Sequence, residues 1–286
     1  MNKMVKILLQ TTIPYRQDDW HIGRFSLLAE HFRSLRDENG DAIYNVTTRD
    51  RESGVGETDP VLSTIDRSDI DQLWIFAVDE GDGLTPDECA AITRFRERGG
   101  GIYSTRDHFD LGSSLCTLGG IGSSHYFHTQ NPDPDESRHC RDDSYTTNID
   151  FPNYHSGANG DFQMIKAGDH ELLRRTDGSP IQFFPAHPHE GGVGAANSDS
   201  KVIAMGTSKC TGRDFNMIVA FDPADGSGRA IADASFHHIV DYNWDTDAGC
   251  PTFVEEKPGD GYKQEPEALN DIKQFVANAA RWLSRS

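Results

Sequence analysis

An α/β fold, a parallel sheet with helices on both faces, is predicted by three features of this 286-residue chain. Short apolar runs alternate with amphipathic helical stretches through the N-terminal third. The connections between them are short, as right-handed crossovers between parallel strands require. Charge then arrives abruptly after Ile102-Tyr103-Ser104-Thr105, in Arg106, Asp107, His108 and Asp110. An open α/β sheet places its ligand crevice at the carboxyl ends of its strands, and unpaired charge is costly in a core. The stretch from Gly99 to Cys116 is therefore the expected centre of the site.

The elements follow in order. Residues 5–10 form a first strand; the apolar run is broken by Lys6 and followed by no small-residue cleavage site, so it does not read as a leader. After Trp20 and His21 a helix runs to about residue 36, with Phe25, Leu28, Ala29, Phe32 and Leu35 at helical spacing. Strands follow at 43–48 and 73–78, the second ending in Asp79-Glu80-Gly81. Thr85 caps the next helix, Pro86 takes its first position and Glu88 completes a capping box. That helix buries Ala91, Ile92 and Phe95 and stops at Gly99-Gly100-Gly101, ahead of a strand at 102–105.

Residues 111–118 have the pattern of a short helix. The stretch 121–180 is a loop-rich insertion, long enough to imply a function. Further strands are expected at 181–184, 202–205, 215–221 and 229–233, the last two joined as a C-terminal β-hairpin through the turn Asp222-Pro223-Ala224-Asp225-Gly226. A helix at about 267–284 presents Leu269, Ile272, Phe275, Val276, Ala279, Trp282 and Leu283 to the sheet. No linker divides the chain, so residues 1–286 are expected to form a single α/β domain.

A formal charge of −19 argues against nucleic acid and anionic membranes as partners. No run approaches the roughly 18 apolar residues of a membrane span. Five cysteines without a CxxC pair read as reduced thiols, hence a cytoplasmic protein with a small-molecule substrate. Self-association into a homo-oligomer is left open.

Four groups of residues can carry chemistry. Asp18, Asp19 and His21, then Asp79 and Glu80, then Arg106, Asp107 and His108 converge if the strands are parallel. Gly119-Gly120 followed by His125 and His128 lets backbone approach a ligand, though no Gly-Lys-Ser/Thr follows to make a phosphate loop. His187 and His189, two apart after a strand, suit a metal on extended chain. His237 and His238, with Asp241 close behind, can bind a divalent ion or pass protons. Asp107, His108 and His238 are thus the candidate acid–base groups. Arg106, His21, Glu80, His125, His128 and His237 are candidates for holding substrate. His187, His189, His237 and Asp241 are the candidate ligands for a divalent metal such as zinc, although HExxH and paired CxxC spacings do not occur.

The Gly-Gly-Gly strand 99–105, the segment Leu118-Gly119-Gly120…His125 and the closing Gly228-Arg229…Ser235-Phe236-His237-His238 resemble ThuA-like proteins. That resemblance spans most of the chain and implies the flavodoxin-like fold of the class I glutamine amidotransferase-like superfamily. It also implies a pocket shared by the turn after the fourth strand and the glycine-histidine segments, and a link to sugar metabolism. Amidotransferases of this fold carry a cysteine at that turn; here it holds Arg106 and Asp107, so Cys-dependent glutamine hydrolysis is not expected. ThuA-like chains tend to have a histidine near the Arg106 position, and the insertion 129–180 is longer than theirs. The leading expectation is a cytoplasmic enzyme acting by acid–base chemistry on a polar, hydroxyl-rich small molecule, a carbohydrate derivative. Metal-dependent hydrolysis and a non-catalytic binding scaffold remain alternatives.

Overall fold

Two apolar layers enclose a central sheet, and strand parity sorts residues between them. Ile7, Leu9, Trp74, Phe76 and Tyr103 face one layer; Leu8, Leu73, Ile75 and Ile102 face the other. The computed structural model describes residues 4–54, 56–139, 141–143, 145–223 and 225–284. Its strands in chain order are β1 (Val5–Pro14), β2 (Tyr44–Arg51), β3 (Gln72–Phe76), β4 (Gly101–Thr105), β5 (His125–Tyr126), β6 (Phe162–Met164), β7 (Lys166–Ala167), β8 (Phe183–Pro185), β9 (Gly192–Val193), β10 (Ser200–Thr207), β11 (Asp214–Phe221) and β12 (Ala230–Asp233). Its helices are α1 (Ser26–Ser34), α2 (Pro86–Glu97), α3 (Asp241–Trp244), α4 (Gly261–Gln264) and α5 (Leu269–Leu283).

The main sheet has the order β2-β1-β3-β4-β12-β11-β10-β7. Its first five strands are parallel, and β11, β10 and β7 continue it antiparallel. The expected hairpin is present, with Phe221 opposite Ala230 and Ile218 opposite Asp233. Phe25, Leu28 and Phe32 at the start of the chain share a layer with Ile272, Phe275 and Val276 of α5. Ile92 and Phe95 of α2 lie in the other.

Several expected elements differ in detail. The helix after Trp20 opens as a 3-10 turn, Ile22–Phe25, because the His21 ring accepts the Gly23 N–H, and α1 then ends at Ser34. Residues 111–118 make a 3-10 turn at Ser113–Thr117. The last helix is preceded by a 3-10 turn, Pro266–Ala268. The strand expected at 181–184 lies outside the main sheet: β8 pairs with β6 from the insertion in a separate two-stranded sheet.

The insertion is held onto the rest of the chain by backbone bonds. Tyr154 and Glu190 exchange hydrogen bonds at 2.9 and 2.8 Å, and the Ser156 N–H reaches the His187 carbonyl at 3.0 Å. These bonds fix the loop that carries His187 and His189.

The end of β2 is anchored by buried charge. The Asp59 carboxylate receives both Nη atoms of Arg49 at 2.9 Å, plus the N–H groups of Glu52, Val61 and Leu62. Burial disfavours that carboxylate, but Arg49 and the backbone donors outweigh it and bring its pKa down to about 2. A carboxyl lowered on folding stabilises above its unfolded pKa and loses that contribution as pH falls through the folded one. Asp59→Asn is therefore expected to cost about 2 kcal/mol at neutral pH. Urea denaturation at a series of pH values should show the gap to wild type closing between about pH 4 and about pH 2.

Candidate active site

Because β1, β3, β4 and β12 are parallel, the segments leaving them meet at one edge of the sheet. A cavity of about 510 Å³ lies there. Thr12 and Pro14 at the end of β1 reach it, Asp79 and Glu80 follow β3, Asp107 and His108 follow β4, and His237 follows β12. His187 and His189 enter on the turn after β8, and Asn159 comes from the insertion.

Asp107 is the centre. It is 4% exposed. Its Oδ1 lies 3.3 Å from Nδ1 of His108 and 3.5 Å from Nε2 of His187, and its Oδ2 lies 3.9 Å from Nε2 of His237. The His187 and His237 rings stack at 3.5 Å with 10° between their planes.

The protonation pattern of that stacked pair follows from two asparagines. Asn243 Nδ2 donates to the Ala186 carbonyl at 2.9 Å, which fixes the orientation of its amide. The same group donates to Asn159 Oδ1 at 3.1 Å, which fixes the second amide. Asn159 Oδ1 then faces Nδ1 of His187 at 3.0 Å, and Asn243 Oδ1 faces Nδ1 of His237 at 3.0 Å. An amide oxygen only accepts, so each Nδ1 carries a proton and each neutral ring presents its Nε2 lone pair toward Asp107. Burial, reinforced by His237, holds the His187 pKa well below its ordinary value. Burial likewise takes His237 to about 4, against the pull of Asp107. The site is a cluster of acceptors.

The wall around it mixes aromatic rings and carboxylates. Trp20 packs edge-on against His237 at 5.1 Å and Phe253 at 6.4 Å. Asp19, Asp79, Glu80, Asp82 and Glu256 also line the cavity. Arg51 reaches it too, but its charge is tied to buried Glu88 at 2.7 Å. His189 is engaged at both nitrogens: Nδ1 lies 3.3 Å from Asn153 Oδ1, and Nε2 lies 2.9 Å from Glu256 Oε1.

Of the residues proposed from sequence, Asp19, Asp79, Glu80, Asp107, His108, His187, His189 and His237 line the cavity. The others are placed elsewhere. Arg106 and Asp107 are neighbours on extended chain and point to opposite sides. Arg106 accordingly turns inward, stacks over Phe127 at 4.1 Å and donates to the Phe109 carbonyl at 2.7 Å. Burial lowers its pKa to about 9, with Asp107 and Asp110 opposing. His125 lies on that inner side, with Nε2 2.9 Å from Ser104 Oγ, and burial drops its pKa to about 3. His128 is exposed and stacks on Phe109 at 4.9 Å. His21 caps its 3-10 turn and packs edge-on against Tyr15 at 4.9 Å.

His238 faces the interior. Its Nδ1 is 2.6 Å from Asp233 Oδ1 and its Nε2 is 3.1 Å from Glu190 Oε2. Burial opposes its charge, yet the two carboxylates prevail and raise its pKa to about 10. It is a structural cation rather than a catalytic group. Asp241 is no metal ligand either: its carboxylate accepts the N–H groups of Ser26 and Leu27 and the Ser26 hydroxyl, and so caps α1. Sequence reasoning missed Asn159 and Asn243; Asn243 lies two residues past the candidate Asp241, but nothing local distinguishes an amide that orients an imidazole.

No protein-family model and no curated protein matches the sequence. Solved structures do match the fold. A protein described as ThuA-like, from Parabacteroides merdae, is 13% identical, with a TM-score of 0.55 over 99% of this chain and 91% of that one. A cytoplasmic protein of Salmonella typhimurium LT2 is 12% identical, with a TM-score of 0.51 over 98% and 99% of the two chains. A second Salmonella typhimurium cytoplasmic protein is 9% identical, with a TM-score of 0.52 over 99% and 100%. The chain shares with these structures a flavodoxin-like α/β fold. Its likeness to the protein described as ThuA-like is one of fold.

Two substitutions separate structure from site. His238→Leu leaves Asp233 and Glu190 as uncompensated buried charges, and is expected to cost about 3–5 kcal/mol. Asp241→Ala removes only a helix cap, at about 1–2 kcal/mol. Urea denaturation midpoints check both values.

Proposed function

We propose that this protein is a hydrolytic enzyme that acts on a polar, hydroxyl-rich small molecule, a carbohydrate derivative, held in the cavity beyond β4. The observation that carries the reading is the acceptor cluster: a buried carboxylate faces two parallel imidazole rings, one Nε2 lone pair toward each of its oxygens, at the floor of a 510 Å³ hollow. Asp107 Oδ1 has one donor, the His108 N–H at 2.8 Å, but His187 Nε2 has none, and a buried acceptor without a donor is costly in a core. In an active site it takes protons. His237 Nε2 accepts the proton of a water molecule, whose oxygen attacks the substrate's acyl or glycosyl carbon as the leaving oxygen departs with a proton from solvent. His108, less buried than Asp107, lines the same cavity with its Nδ1 3.3 Å from that carboxylate.

The wall supports the substrate class. Trp20 and Phe253 offer apolar faces to a sugar ring, and the carboxylates of Asp19, Glu80 and Asp82 accept hydrogen bonds from hydroxyl groups. With Arg106 turned away and Arg51 tied to Glu88, the remaining cation of the wall is the exposed Arg16, 3.8 Å from Asp19, and the lining carboxylates outnumber it. Cys89, Cys116, Cys210 and Cys250 are free thiols, which fits a cytoplasmic setting. No described helix is long and apolar enough to cross a membrane.

A panel of acylated and glycosylated sugars tests the reading. Asp107→Asn and His237→Ala are each expected to lower kcat/KM by about 10²–10⁴-fold while the melting temperature stays near wild type. Retained turnover in both variants overturns the assignment. Saturable sugar binding by calorimetry with every substrate left intact favours a binding scaffold instead.

A further inference from the structure

We propose that Asp107, His108 and His187 form a binding site for one divalent metal ion of the zinc class, leaving His237 beside it as a proton acceptor. The candidate donor atoms, one from each of the three residues, lie within 4.8 Å of one another. Two of the separations can be compared with known chemistry. Zinc bonds of about 2.1 Å place neighbouring ligand atoms of a tetrahedron about 3.4 Å apart. Asp107 Oδ1 is 3.3 Å from His108 Nδ1 and 3.5 Å from His187 Nε2.

The chemistry of the donors agrees. His187 Nε2 and His108 Nδ1 are buried atoms without a hydrogen-bond partner among the described residues. The Ala186–Asn243–Asn159 chain fixes the His187 proton on Nδ1, so Nε2 presents a lone pair and no donor to the carboxylate. A carboxylate and an imidazole lone pair facing each other at that distance repel unless a cation lies between them. Asn159 is then a positioning residue, since a partner on the far ring nitrogen orients a metal-bound histidine. Two nitrogens and one oxygen suit a borderline divalent ion such as Zn²⁺ or Co²⁺. Three protein ligands leave a coordination position open toward the cavity, which is the pattern of catalytic zinc sites.

The neighbouring histidines are excluded on geometry. The His237 ring lies parallel to that of His187 at 3.5 Å, so the two lone pairs run side by side and do not converge on one ion. His189 already has partners at both nitrogens. The inference rests on the catalytic reading of the cavity only for the role of His237; the metal site itself is tested by binding alone.

The full chain, stripped with a chelator and checked for folding by circular dichroism, is titrated with Co²⁺. One equivalent is expected to bind with the intense visible absorption of a tetrahedral nitrogen-containing site, and Zn²⁺ is expected to displace it. Asp107→Ala and His187→Ala should lower the affinity by at least about 100-fold, and Asn159→Ala by about 10–100-fold. His189→Gln and His237→Gln should keep one equivalent, the latter losing turnover. Wild-type protein that is folded yet gives only the weak absorption of octahedral Co²⁺ overturns the site, whatever the variants do. Undiminished binding in folded His187→Ala overturns it as well. Stoichiometric metal in a protein that turns over no sugar derivative upholds the site and defeats the proposed substrate class.

Discussion

The parallel pairing of β4 between β3 and β12 is the constraint on which the site depends. Thr105 is in register with Phe76 on one side and Asp233 on the other, so the three strands end at one level. Whatever follows them is delivered to the same crevice. That is how Asp79, Asp107 and His237, far apart in sequence, come to line one cavity. A shift of β4 by a single residue would exchange its two faces, sending Asp107 inward and Arg106 into the cavity. Register is protected by large side chains on both layers, among them the stacked Trp74 and Tyr103, whose ring centroids are 4.1 Å apart.

Below the cavity floor lies a second polar centre with the opposite character. His238 is held between Asp233 and Glu190, Tyr103 donates its hydroxyl to Asp233, and Ser156 and Gln163 donate to Glu190. The charged groups there face opposite charge and most of the polar atoms have partners, Gln163 Oε1 excepted, so burial is tolerable. The adjacent residues His237 and His238 thus serve different ends. One leaves its lone pair free toward the cavity, and the other is a cation locked in a network that ties β12 to the loop bearing His187. Glu190 is the joint, since its backbone also pairs with Tyr154 of the insertion.

Much of the fold was legible because its signals are local. The capping box Thr85–Glu88 and the helical stripe ending at Leu283 each depend on residues a few positions apart, and both elements occur where expected. The crevice was legible too, through the arrival of charge after β4. Side-chain direction was harder to read. Arg106 and His125 looked like ligand-binding groups by type, yet strand parity puts them behind the site. Asp241 looked like a metal ligand, and only its approach to Ser26 and Leu27, over two hundred residues away in sequence, shows it to be a helix cap. The β8 segment had strand character, but whether such a run joins the main sheet is decided by its partner.

The insertion explains why this architecture needs more chain than a plain doubly wound sheet. Parallel strands alone deliver Asp107, His108 and His237, but they do not supply a group to orient the ring of His187. Asn159 does so, and it stands in a segment whose conformation is fixed by Gly259 and Tyr262, whose N–H groups donate to the carbonyls of Asn159 and Gly160 at 2.8 and 3.1 Å. Asn159 and Asn243 also touch each other, so the insertion and the region after β12 are coupled through the two amides that set the imidazole tautomers. An amide that donates to a carbonyl cannot rotate without losing that bond, and a rotation would turn its NH₂ group toward the ring nitrogen. The free lone pairs at the cavity floor are thereby maintained by a backbone carbonyl, that of Ala186, which lies beside the histidine it controls.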